Sequence, residues 1–215
     1  MKNFLLIVCS LMFLGATAQN DQKARTILEQ ASKKMQSFQT ISVAFTFTME
    51  NAKMNIHDKN NGTLLMKGKK YQVKLPEMGM QVFSDGQTVW NYMKEANQVT
   101  ISTAGDEEQG VIDPNTIFNV YQQGFNYRFL EEKTVSGKVI SYVELLPVDK
   151  NREYVKMVAG VEKDRQLLFS LVTHGKDGNL YGIYINDFKN NQPVSDTEFT
   201  FNKSAYPGVE TVDFR

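Results

Sequence analysis

Residues 84–92, Ser84-Asp85-Gly86-Gln87-Thr88-Val89-Trp90-Asn91-Tyr92, join two apolar runs through an Asp-Gly pair. The first run ends at Phe83, and the second carries the only tryptophan of the chain, Trp90. Asp-Gly tolerates the positive φ angles of a tight primed turn. The stretch therefore predicts a β-hairpin, and its simplest interpretation is a hairpin with a buried Trp90.

Around this hairpin, the sequence predicts one helix followed mainly by strands. Residues 21–38 place apolar side chains at helical spacing, and residues 41–50 alternate strictly between large apolar and small or polar ones. Further strand-like runs are residues 63–67, 71–75, 81–83, 89–93, 99–102, 127–130, 139–146, 154–158, 167–174, 180–188 and 198–202. Turns are predicted at Asn60-Asn61-Gly62, Ser136-Gly137 and residues 176–179. Short turns between sequential strands predict an antiparallel meander, curled into a barrel or half-barrel.

A short helix is predicted to interrupt the strands. Asp113-Pro114 is a typical helix start, and Gly124 can end the helix. Ile117, Phe118 and Tyr121 share a face that must pack on something apolar, because about ten residues make only a marginal helix on their own. Two interpretations stay open: the helix plugs the end of a barrel, or it is a displaceable lid.

The first eighteen residues have the composition of an export signal. Lys2 is followed by the apolar residues 4–14 and by Ala16-Thr17-Ala18, which predicts cleavage before Gln19. The apolar run is too short for a membrane span, which needs about 20 residues. Cys9 allows an acylated-lipoprotein alternative, but it lies inside the apolar run. We therefore expect a mature domain of residues 19–215, exported and then released.

Composition limits what this mature domain can do. It contains no cysteine, because Cys9 is the only one in the chain. The full chain has 24 basic and 24 acidic residues, so losing Lys2 leaves one net negative charge. Such a balance predicts no affinity for nucleic acid.

Candidate catalytic or metal-binding groups are few. His57 and His174 are the only histidines, and neither has partners at catalytic or ligand spacing. Glu131-Glu132 is more typical of a solvated turn than of a catalytic carboxylate pair. We therefore expect a protein that is not an enzyme and needs no cofactor or metal.

The large apolar side chains on the predicted strands are more informative than the candidate catalytic groups. Methionine is flexible and polarisable, so it suits surfaces that accept variable apolar shapes. In the first half of the mature chain, five methionines fall on predicted strands or beside Gly79: Met49, Met66, Met78, Met80 and Met93. They either fill an irregular core or line an adaptable apolar trough.

Several short motifs occur in a recognisable order around the opening hairpin. They are Gly62-Thr63-Leu64-Leu65-Met66-Lys67-Gly68-Lys69-Lys70-Tyr71, Asn97-Gln98-Val99, Phe199-Thr200-Phe201, Pro207-Gly208-Val209 and Val212-Asp213-Phe214-Arg215. Over nearly the whole mature chain, this succession resembles the LolA-type family of periplasmic carriers for outer-membrane lipoproteins.

The resemblance implies a fold, a function and partners. The fold is a mainly β single domain, an incomplete (half-open) antiparallel β-barrel covered on its concave face by an N-terminal helix and a short inserted lid helix. The function is carriage of acylated lipoproteins from an inner-membrane release transporter to an outer-membrane acceptor, by a monomer. The residues expected to line the acyl-chain cavity are Phe45, Phe47, Leu64, Met66, Tyr71, Val73, Met80, Val82, Trp90 and Tyr92. Ile117, Phe118 and Tyr121 are expected to belong to the lid.

One departure from the family pattern concerns the lid. Members commonly carry an Arg-Pro pair after the lysine that matches Lys67, and that arginine latches the lid by hydrogen bonds. Here the positions read Gly68 and Lys69, although the following aromatic is kept as Tyr71. Lysine cannot reproduce the planar guanidinium fork. The latch is therefore absent or made elsewhere.

Two other functions are weighed against the carrier. A sensor on the same fold could bind lipids or mislocalised lipoproteins, although it would usually need a second domain for its partner. A periplasmic hydrolase would need a nucleophile paired with a base, and no such pair is recognisable. Lipoprotein, glycolipid and phospholipid all present acyl chains, so the cargo stays open, as does the identity of the outer-membrane acceptor.

Overall fold

The structure, a computed structural model, describes residues 21–105, 114–115 and 124–215. Helix α1 covers residues 21–36. The strands are β1 (Ile41–Asn51), β2 (Ile56–Lys67), β3 (Lys70–Leu75), β4 (Met80–Ser84), β5 (Thr88–Met93), β6 (Gln98–Thr103), β7 (Phe125–Val135), β8 (Lys138–Pro147), β9 (Tyr154–Glu162), β10 (Leu167–Gly175), β11 (Leu180–Asn190) and β12 (Glu210–Asp213). They form an open sheet that does not close into a complete barrel. The predicted mainly β fold with one N-terminal helix is confirmed.

Helix α1 follows the predicted apolar pattern. Its side chains at Ala24, Leu28, Ala31 and Met35 are all buried, whereas the positions between them are mostly exposed. The predicted export signal, residues 1–18, lies outside the described residues. Within the described ranges, no helix is long and apolar enough to cross a membrane.

The described residues divide into two compact units, and the first comprises residues 21–35 and 124–181. In this unit β7, β8, β9 and β10 are neighbours in that order, and each pair is antiparallel. Helix α1 packs on β7, because the Lys23 ammonium lies 3.1 Å from the Glu132 carboxylate and 3.6 Å from the centre of the Phe129 ring.

A buried carboxylate stabilises the same unit. The Glu144 side chain is only 3% exposed, and both Arg128 and Lys156 form ion pairs with it. Burial alone would raise the pKa of Glu144, but the hydrogen bonds and charges of Lys156 and Arg128 together outweigh burial and lower the pKa. The carboxylate is therefore held ionised by two cations.

The second unit comprises residues 36–105, 114–115 and 182–215. Its strand order is β12-β6-β5-β4-β3-β2-β1-β11. β12 was not among the predicted strands, and it runs parallel to β6 at this edge. A long connection, residues 191–209, separates β11 from β12. Because this long connection, and not a short hairpin, brings β12 to the edge of β6, those two strands can run parallel.

The predicted turn at Asn60-Asn61-Gly62 is wrong, because these residues lie inside β2. Gly62 faces Phe45 on β1, and a Cβ atom at position 62 would lie 2.4 Å from the Phe45 Cζ atom. Because Gly62 has no side chain, the Phe45 ring can lie across β2 at this position. The Asn61 N–H donates a 2.8 Å hydrogen bond to the Glu77 carboxylate. Ser136-Gly137 and residues 176–179 do form turns.

The strand predicted at residues 198–202 is also wrong. Asp196–Phe199 form a 3₁₀ turn, capped by the Ser195 side chain, which accepts a hydrogen bond from the Thr197 N–H. Thr200 is extended but belongs to no strand. The alternation of Phe199, Thr200 and Phe201 arises because both phenylalanines pack their side chains against the sheet, with Phe199 completely buried.

The Asp-Gly stretch does form a hairpin, between β4 and β5. The turn is longer than predicted, because the strands close at the Ser84–Val89 pair. Only Gly86 has a positive φ, +91°. The Asp85 carboxylate accepts 2.8 Å hydrogen bonds from the N–H groups of Gln87 and Thr88. Asp85 therefore stabilises the turn through its side chain.

Candidate functional site

One face of the second unit is lined by apolar side chains, and strand register defines it. Residues that pair directly in an antiparallel sheet project to the same face. Val43 pairs with Leu64, Leu64 with Val73, and Val73 with Val82, so a row of aliphatic side chains crosses four strands. We call this surface the apolar face; it comprises Ile41, Val43, Phe45, Phe47, Met49, Leu64, Met66, Tyr71, Val73, Leu75, Met80, Val82, Val89 and Met93.

Eight of the ten residues predicted to line a cavity share the apolar face. Five are buried and three are half-buried: Phe45, Leu64, Met66, Tyr71 and Val82, then Phe47, Val73 and Met80. Ile41, Val43 and Leu75 were missed, although the alternation of residues 41–49 already contained the first two. Their burial extends the apolar face over the whole of β3 and the start of β1.

Trp90 and Tyr92 lie on the opposite face. Their pairs are Phe83 and Gln81 on β4, which point away from Val82. Tyr92 is buried there with Val99 and Val209, and Trp90 packs against this cluster. These two predicted residues therefore do not share a surface with the other eight.

A C-terminal segment, residues 191–209, covers the opposite face. Its Phe201 and Tyr206 rings stack at 4.5 Å between centres, and each contacts the Tyr92 ring. The Gln72 side chain donates a 2.7 Å hydrogen bond to the Glu198 carbonyl. This face is thereby occupied by the chain itself.

An ion triad also binds the C-terminal segment. The ammonium groups of Lys67 and Lys70 each donate a 2.8 Å hydrogen bond to the Asp196 carboxylate, one to each oxygen. These two hydrogen bonds lower the pKa of Asp196 from 3.8 to about 2. The lysine that matches the family motif, Lys67, therefore contacts the C-terminal segment.

Methionines gather at one end of the second unit. Met80 pairs with Met93 on the apolar face, next to the turn at Met78. Met49 lies on the same face of β1, and Met54 is in the β1–β2 turn, which lies at the same end of the strands. Three of these side chains are unusually exposed for methionine: Met54 (68%), Met78 (40%) and Met93 (39%). We call these five residues the methionine end.

The opposite end of the strands carries the departure from the family motif. Lys67 pairs with Lys70, which leaves Gly68 and Lys69 as a two-residue turn. Gly68 has a φ of +60°, a conformation that neither arginine nor proline readily adopts. The Asn115 side chain donates a 3.2 Å hydrogen bond to the Lys69 carbonyl. Asn115 is therefore held here through a main-chain oxygen.

The predicted lid residues Ile117, Phe118 and Tyr121 lie outside the described residues, as does the predicted helix start Asp113. Their role stays a prediction.

Polar side chains lie among the apolar ones at Ser84, Asn91 and Thr100. Asn91 on β5 pairs with Val82, so it belongs to the apolar face by register. Its side-chain oxygen is buried and has no hydrogen-bond partner in the described part of the chain. No pattern in the sequence singled out Asn91, because an isolated asparagine in a strand looks the same whether it is exposed or buried.

Neither histidine lies on the apolar face. His57 is exposed on β2, opposite Glu50. His174 is half-buried opposite Lys156 on β9, and burial followed by the Lys156 charge lowers its pKa. Within residues 21–105, 114–115 and 124–215, no three His, Asp or Glu side chains are grouped as metal ligands.

A known protein family matches most of this chain. The family model described as "Outer membrane lipoprotein carrier protein LolA" matches residues 36–202. The chain belongs to the LolA family. The match begins just before β1 and ends in the C-terminal segment, so it includes the apolar face, the turn at Gly68 and the ion triad. No curated protein sequence matches the chain.

Solved structures share the fold at low sequence identity. An uncharacterised conserved protein from Thermus thermophilus is 13% identical, with a TM-score of 0.57, and the match covers 89% of this chain and 99% of that protein. The lipoprotein LppX from Mycobacterium tuberculosis is 10% identical, with a TM-score of 0.52 and coverage of 81% and 98%. At these identities the likeness shows the fold alone.

Proposed function

We propose that this protein is a periplasmic carrier that shields the acyl chains of lipoproteins in an apolar cavity and conveys them from the inner to the outer membrane. The observation that carries the proposal is the register of β1 to β4, which puts eight predicted residues on one apolar face. Membership of the LolA family and the composition of residues 1–18 support it. The partners would be an inner-membrane release transporter and an outer-membrane acceptor, contacted transiently by a monomer without a cofactor.

The physical basis is burial of hydrocarbon. Each methylene removed from water contributes about 0.8 kcal/mol, so acyl chains can be held by apolar area without any catalytic group. The buried side chains of Leu64, Met66 and Val82 supply such area at the centre of the apolar face. The methionine end supplies flexible side chains where chains of variable shape would enter.

The proposal predicts that acylation decides binding. The purified mature chain, residues 19–215, is mixed with a lipoprotein in its acylated form and in a form from which the acyl chains have been removed. Capture of the acylated form alone is expected. Equal capture of both forms would contradict the carrier function and indicate a protein-binding module.

A matched pair of variants tests the surface. Met93 and Leu130 are both 39% exposed, but only Met93 lies at the methionine end. Met93→Glu is expected to weaken capture of the acylated lipoprotein about tenfold or more, because it places a charge where apolar chains must pass. Leu130→Glu, on β7, is expected to leave capture unchanged. Equal losses in the two variants would point to a general effect on stability.

A further inference from the structure

We propose that Asn91 is a specificity-determining residue of the apolar face, whose side-chain oxygen accepts a hydrogen bond from an amide N–H beside the acyl chain of the cargo. This inference rests on the proposed carrier function. It adds the chemical class of the group that is recognised, and it separates lipid-anchored polypeptides from lipids that contain only ester linkages.

Asn91 lies close to the methionine end. Asn91 pairs with Val82 on β4, which is completely buried, and with Thr100 on β6. Met93, the next residue of β5 on the same face, pairs with Met80 at the methionine end. Asn91 therefore lies one residue pair inward from that end. A ligand whose hydrocarbon extends along the apolar face would place the group next to its acyl chain near Asn91.

The side-chain oxygen of Asn91 is a hydrogen-bond acceptor that lacks a donor in the described part of the chain. A buried acceptor without a donor is costly, and most such groups in proteins are paired. A lipidated polypeptide brings N–H groups directly beside its acyl chains, in the N-acyl amide and the first peptide bonds. An ester brings only acceptor oxygens to the same place, so two acceptors would face each other.

This difference predicts discrimination. A site built around a hydrogen-bonding group rejects an analogue that lacks the partner more strongly than an apolar pocket rejects a change of shape. The aliphatic side chains of the apolar face have no hydrogen-bonding group that could distinguish an amide from an ester. Asn91 therefore carries the selectivity, whereas the apolar side chains carry most of the affinity.

The test uses two fluorescent probes that have the same palmitoyl chain and the same fluorophore, joined by an amide in one probe and by an ester in the other. The wild-type mature chain is expected to bind the amide probe about fivefold or more tightly than the ester probe. Asn91→Leu, which keeps a similar volume without the acceptor, is expected to abolish this preference while still binding both probes. Asn91→Val serves as a second variant that favours the strand. Thr100→Val, on the same face of β6, is the control and should keep the preference.

The outcomes separate this inference from the function on which it rests. Loss of the preference in both Asn91 variants, with Thr100→Val unchanged, supports the assignment. Equal binding of the two probes by the wild type, or an undiminished preference in Asn91→Leu, overturns the assignment and leaves the carrier function standing. Failure of the wild type to bind either probe would overturn the carrier function as well.

Discussion

At the scale of single residues, Gly62 and Phe45 determine how β1 and β2 pack on the apolar face. The Phe45 ring occupies the space that a side chain at position 62 would need, and the Leu75 side chain closes it from β3 at 2.9 Å. Gly62 has no positive φ, so its backbone would accept alanine. Any effect of a substitution there would therefore come from crowding of the ring.

Gly62→Ala is accordingly expected to lower the free energy of unfolding by about 1–3 kcal/mol, the usual cost of overpacking a buried site. Urea unfolding of the mature chain measures it. Phe45→Leu shortens the ring that causes the crowding, so the double variant should lose less than the sum of the two single losses. Additive losses would mean that the ring does not oppose a side chain at position 62.

At the scale of elements, residues 41–49 show how much the sequence could establish. Their alternation located β1, and the same pattern located the cores of ten other strands. The pattern could not determine which parts of the chain pack against each of the two faces of a strand. On β5, the packing of each face depends on the C-terminal segment. Its Phe201 and Tyr206 side chains pack against the face of β5 that carries Trp90 and Tyr92. Contacts between residues so far apart in sequence leave no local signal.

Two other predictions were wrong for related reasons. Phe199 and Phe201 alternate as in a strand, but they pack by their side chains without joining the sheet. Asn60-Asn61-Gly62 has turn composition, yet Gly62 is required by the Phe45 ring across the strand. Glycine serves both turns and close approaches, and only the neighbouring strand decides between them. Most apolar residues of the candidate site were therefore predictable, whereas its boundaries and the buried side-chain oxygen of Asn91 were not.

The ion triad makes the C-terminal segment sensitive to acid. The pKa of Asp196 is about 2 in the folded chain, below its ordinary value of 3.8. Because the folded pKa is lowered, the contribution of Asp196 is fully present above about pH 4 and is lost as the pH falls toward 2. We expect hydrogen-exchange protection of residues 196–206 to fall across this range.

The comparison variant is Asp196→Asn, which should show reduced protection of the same residues already at neutral pH. Added salt should reduce the wild-type protection as well, because Asp196 is exposed and its ion pairs are screened. Unchanged protection down to pH 2 would mean that the aromatic contacts of Phe201 and Tyr206 alone hold the segment.

At the scale of the whole molecule, a carrier must bind acyl chains and also release them. One chain of about 15 methylenes, if fully buried, would contribute about 12 kcal/mol, which corresponds to a nanomolar Kd. Complete burial of two or three such chains would make handover very slow. Partial burial on an open sheet, with exposed methionines at one end, is therefore better suited to transfer than a closed cavity would be.

Such a function depends on surface and not on reactive groups, which leads to a prediction for the histidines. His57 is exposed, and His174 is kept neutral at neutral pH because burial and the Lys156 charge lower its pKa. His57→Ala and His174→Ala, alone or combined, are expected to leave capture of acylated lipoprotein unchanged. A fluorescence titration with an acylated lipopeptide measures the affinity, and Met93→Glu provides the positive control for loss. If either histidine variant lost capture while its melting temperature stayed the same, a catalytic or metal-dependent step would have to be added to the function.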